Sequence, residues 1–146
     1  MKRMRTLSAW VLVASLALAA ASCKESKESM SPTALANMGG MDGLTKFMAA
    51  WKDTMSANPQ LSKTLTADDM TMVTRGFGNE VAKAGGIPTP NAGVDLMQVL
   101  EQKHLSKDDL KAMGDALQVA AKGNMLSPDA TKAAMELWEG VARHVK

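Results

Sequence analysis

The chain has no tyrosine, two phenylalanines, three tryptophans and a single cysteine in 146 residues. One cysteine excludes any disulfide within the chain. With aromatics this scarce, the 13 methionines become the main flexible fillers for a core. No segment shows the two-residue alternation of a strand. No phosphate-cradling loop is present, because Gly76-x-Gly78 falls inside a helical stripe. The serines and histidines form no recognisable nucleophile arrangement. Asp68-Asp69 and Asp108-Asp109 are adjacent pairs, so their side chains point to different faces, and both stand where a helix dipole favours acids. They make poor paired carboxylates. These absences argue against an enzyme. The longest apolar run, Ala9 to Ala21, is also short of the roughly 20 residues that a membrane span needs.

What that run does resemble is the middle of a secretory signal. Lys2, Arg3 and Arg5 precede it and small residues close it, so residues 1–22 read as a signal peptide. Ala20-Ala21-Ser22-Cys23 resembles a bacterial lipobox, with Ala20 where leucine is more usual. The resemblance implies lipid on Cys23 and a membrane as partner, with several acyl chains giving a stable anchor. Residues 23–30 carry the tandem Lys24-Glu25-Ser26 and Lys27-Glu28-Ser29, a solvated tether. The expected location is the cell envelope, facing the periplasm or the exterior. Lys24 after the cysteine points to the outer membrane by enterobacterial analogy. Removing the signal takes three of the 17 basic residues and none of the 15 acidic ones, which leaves a net charge of −1. That balance offers no footprint for nucleic acid.

From Ser31 onward the periodicity is helical. Ser31-Pro32 opens a short helix that stops at Gly39-Gly40. Leu44, Phe47, Met48, Trp51 and Met55 form one apolar stripe, closed at Asn58-Pro59. Thr66 caps a helix carrying Met70, Val73, Phe77, Val81 and Ala84. Residues 85–93 are a Gly/Pro loop, followed by a short helix over Asp95 to Lys103. Ser106 with Asp109 makes a capping box for a helix lined by Leu110, Met113 and Leu117 that Gly123 stops. Ser127-Pro128 opens the last helix, with Ala134, Trp138 and Val141 inward. Five or six helices over residues 31–146 predict one all-α domain, large enough for its own core.

In order and spacing, these elements resemble a truncated haemoglobin of the group 1-like kind. The match runs from Gly39-Gly40 to Asn58-Pro59-Gln60-Leu61 and resumes at Gly85-Gly86 through Gly93-x-Asp95-Leu96. It implies a globin-like, two-over-two helical sandwich and, as cofactor, haem b. The positions that build a haem pocket depart from the family. Leu100 stands at the proximal histidine position and has no lone pair for iron. The aromatic pair whose tyrosine contacts bound ligand becomes Trp51-Lys52, the porphyrin-wedging phenylalanine pair becomes Thr64-Leu65, and the loop tyrosine becomes Asn91. Phe77 sits about two residues from the family's helix phenylalanine.

The leading expectation is therefore a lipid-anchored binding or interaction module without ordinary haem ligation, its pocket packed solid or open to a small apolar ligand. One alternative is a haem protein handling oxygen or nitric oxide through another ligand. His104 is the first candidate, four residues after Leu100 and so on the same face one turn later, against its plainer reading as an exposed histidine near a helix end; Met97 and the C-terminal His144 are weaker ones. A second alternative is Cu(I) held by soft thioethers such as Met38 and Met41.

Overall fold

Among the described residues seven helices form, because the chain supplies a stop or a cap at nearly every boundary. The structure, a computed structural model, describes residues 32–146; the signal, Cys23, the tether and Ser31 lie outside the described residues. The helices are α1 (Pro32–Asn37), α2 (Gly40–Ser56), α3 (Leu61–Thr64), α4 (Ala67–Ala84), α5 (Leu96–Gln102), α6 (Lys107–Gly123) and α7 (Pro128–His144). Among the described residues there is no strand, and the all-α expectation holds.

The caps act as the sequence predicts. Thr66 and Ser106 each accept the amide of the residue three ahead, Asp69 or Asp109, whose carboxylate accepts the capping residue's own N–H. Asp95 accepts from the Gln98 amide at 3.2 Å, and Ser127 accepts from that of Ala130. Asp95 and Lys103, expected inside the fifth helix, are its two caps. The one element the periodicity does not foretell is α3. It exists because Asn58 Oδ1 accepts the amides of both Gln60 and Leu61, turning the chain after Pro59 into a short helical stretch.

Helix α2 lies at the centre and packs against α4 and α6; α4 carries α5, and α6 carries α7. Three aromatic side chains from three helices close the core. Trp51 of α2 meets Phe77 of α4 and Trp138 of α7 with ring centroids 5.2 Å apart in both pairs, and Phe77 meets Trp138 at 5.7 Å. All three contacts are edge-to-face, the orientation that ring quadrupoles favour. Each indole N–H is satisfied by a carbonyl of α6: Trp51 donates to Met113 at 2.9 Å and Trp138 to Leu110 at 3.2 Å. Methionines 38, 48, 55, 70 and 113 fill the spaces around this cluster, so thioethers occupy room that larger rings would otherwise take.

Candidate functional site

The residues that the sequence marks as a possible cofactor pocket are core residues. Leu100, Trp51 and Phe77 have no exposed surface, and Leu65 is buried with them. Lys52 is half-buried beside Trp51. A haem held from position 100 needs a lone pair there and a slot for its flat ring. Leu100 supplies no lone pair, and α4 and α5 are in direct contact. A Cβ built on Gly76 of α4 would come within 2.9 Å of the Leu96 Cβ and 3.0 Å of its Cα. The residues present do not fit the group.

His104 is an exposed histidine near a helix end, but it does not share a face with Leu100 as its spacing suggests. Helix α5 ends at Gln102, Lys103 caps it, and His104 follows at φ 48 with its side chain exposed. Because the chain leaves the helix before residue 104, the i,i+4 relation to Leu100 does not apply, and His104 does not share the buried face. His144 is exposed as well, with Nδ1 2.7 Å from the Gly140 carbonyl oxygen. It lines, with Met97, Leu137 and Val141, a shallow depression of about 410 Å³ between α5 and α7. Of the methionines, Met38 and Met70 are buried, Met72 is exposed, and Met41 and Met48 both line a pocket of about 250 Å³.

Asn79 is the functional-looking polar residue that sequence reasoning missed. It is buried on α4, and its amide holds the loop before α5: Nδ2 donates to the carbonyls of Asn91 at 2.8 Å and Val94 at 3.2 Å, and Oδ1 accepts the Asn91 amide at 2.9 Å. Asn91 in turn donates through Nδ2 to the Arg75 carbonyl. Asn79 lies off the apolar stripe of its helix, so periodicity gives no sign of its burial.

Two carboxylates couple the starts of α4 and α6 to other parts of the chain. Burial disfavours the Asp69 carboxylate, but the Lys103 ammonium at 2.7 Å and the Thr66 hydrogen bonds outweigh it, and its pKa lies below the ordinary value. Gln60 donates to Asp109 at 2.9 Å and, with Ser106, holds that carboxyl below its usual range against an opposing effect of burial. These are structural anchors at capping positions.

A groove of about 940 Å³ lies between α6 and α7. Leu105, Leu110, Trp138, Ala142 and Val145 give it an apolar lining, and Lys107, Lys111, Arg143 and Lys146 stand along it. Asp115 and Glu139 are its acidic members, and Asp115 is tied to Lys111 at 2.9 Å. Among the described residues no cluster of three or more His, Cys, Asp or Glu side chains could hold a metal ion. No protein-family model matches the chain, and no curated protein or solved structure matches it.

Proposed function

We propose that the chain is a lipid-anchored binding or interaction module of the cell envelope, built on a truncated-globin-like sandwich whose haem function has been lost. In this reading Cys23 carries the lipid, residues 23–30 hold the domain off the membrane, and the domain binds without catalysing. The observation that carries it is the contact between α4 and α5 at Gly76 and Leu96, with Leu100 fully buried beside it. A porphyrin between those helices would have to separate them, lose the Gly76–Leu96 contact and expose Leu100, all without an iron ligand in return. The edge-to-face triad of Trp51, Phe77 and Trp138 supports the same reading, because it leaves the centre of the core close-packed.

The test is an absorption spectrum of the purified protein with and without added haemin. The expected result is free haemin absorption only. A sharp Soret band that His104→Ala or His144→Ala removes would overturn the reading in favour of an atypically ligated haem protein. Acylation at Cys23 is checked separately, by mass spectrometry of membrane fractions.

A further inference from the structure

The groove between α6 and α7 has a polarity along its length. The two helices are joined by the short segment 124–127 and so run antiparallel, and the Trp138 N–H on the Leu110 carbonyl fixes their register. Lys107 opens α6, while Arg143 and Lys146 close the chain beyond Trp138, so all three cations gather at one end. No ion pair engages Lys107 or Lys146 among the described residues. From that end an apolar floor of Leu110, Ala142 and Trp138 runs toward Gly114 and Met135. Gly114 lets the nearly fully buried indole pack directly against α6 at the base of the groove: a Cβ there would stand 3.0 Å from Trp138 Cδ1 and Nε1.

We propose that this groove binds one free fatty acid, with its carboxylate at the Lys107–Lys146 end and its acyl chain along Leu110, Ala142 and Trp138. The inference rests on the reading of the chain as a binding module and names its ligand class. The 940 Å³ lies within the range of about 300–1,000 Å³ typical of small-molecule sites. From Lys107 to Asp115 the floor is about 12 Å long, at a rise of about 1.5 Å per helical residue, which suits a medium-length acyl chain. A carboxylate needs cations at one end, and Lys107, Arg143 and Lys146 stand there, while Lys111, a turn further along, is paired with Asp115.

The experiment titrates laurate, below its aggregation concentration, into the full chain carrying Cys23→Ser, which keeps attached acyl groups out of the assay. Calorimetry and tryptophan fluorescence give the readout, with Trp138 reporting from the groove floor. The expected result is saturable one-to-one binding, weakened about tenfold or more by Lys107→Glu with Lys146→Glu and by the groove-filling Ala142→Trp. Dodecanol, which has the same chain without the charge, is expected to bind about tenfold or more weakly than laurate. Far-UV circular dichroism and thermal melts of the variants guard against loss of fold. Equal binding of laurate and dodecanol, or a signal that never saturates, overturns the proposal. So does a dimer in sedimentation that laurate leaves intact, or binding to phosphatidylglycerol vesicles without binding to laurate. Laurate failure with no Soret band removes this ligand but leaves the haem-free reading standing; laurate binding together with a Soret band overturns that reading alone.

Discussion

Trp51 and Trp138 meet edge to face at 5.2 Å and donate to carbonyls three residues apart on the same helix, Met113 and Leu110. The pair thus ties α2 and α7 to α6 by ring packing and hydrogen bonding at once. Trp51→Phe keeps an aromatic ring but removes one donor and part of the ring volume. The Met113 carbonyl lies within α6 and keeps its helical partner, so it is not orphaned. The expected loss is about 1–3 kcal/mol in urea unfolding, from one hydrogen bond plus a small cavity. Phe77→Ala, which empties the centre of the triad, should cost more, about 3–5 kcal/mol. If Phe77→Ala proved nearly neutral, the cluster would not be the close-packed centre described above.

Glycines in helices give a test of close approach. An exposed helical glycine is about 1 kcal/mol worse than alanine, so replacement normally stabilises. Gly123 near the end of α6 has no atom within 4 Å of a built Cβ, and Gly123→Ala should raise stability by up to about 1 kcal/mol. Gly76→Ala should do the reverse, because its Cβ would meet both the side chain and the backbone of Leu96. Gly114→Ala should also destabilise, since Trp138 is pinned by its hydrogen bond to Leu110 and by two ring contacts and cannot give way freely. Thermal melts of the three variants check the order; a stabilised Gly76→Ala would mean that α4 and α5 are not in direct contact.

The helices and their starts were legible because they depend on local chemistry. Thr66, Ser106 and Ser127 cap where their sequence context says they should, and the stripe residues Phe47, Trp51, Phe77 and Trp138 all point inward. What was not legible depends on the partner across the interface. Asn79 looks like an ordinary polar helical residue until a loop twelve residues later brings it the Asn91 backbone. The φ of 48 at His104 follows from how α5 ends, and it changes the face on which that side chain lies. The α6/α7 groove is a property of two helices at one register, set by the Trp138–Leu110 bond, and neither helix announces it alone.

Asn79 predicts how the loop before α5 is held. Asn79→Ala would leave the Asn91 amide and the Asn91 and Val94 carbonyls without their side-chain partner. The expected destabilisation is about 1–3 kcal/mol, with water recovering part of the loss where the loop is exposed. Hydrogen exchange separates this from a general loosening. Protection should fall first at the Asn91 amide and through residues 85–95, while the amides of α6 keep theirs. Uniform loss across α2, α4 and α6 would mean that Asn79 acts through the core instead.

Asp69 and Asp109 predict the response to acid. Each carboxyl has a pKa in the fold below its ordinary value, so each contributes stability that is complete above the unfolded value, about 3.9 for aspartate. That contribution is lost as the pH falls through the lower folded value, because the unfolded chain takes up the proton first. The fold should therefore weaken below about pH 4 with both residues contributing, Asp69 through Lys103 and the α4 cap, and Asp109 through Gln60 and the α6 cap. Asp69→Asn and Asp109→Asn should each cost stability at pH 7, and that cost should shrink as the pH approaches 2. Urea midpoints measured at several pH values give the result directly. A difference between variant and native protein that stayed constant down to the lowest pH would assign the loss to geometry at the cap, not to the ionised carboxylate.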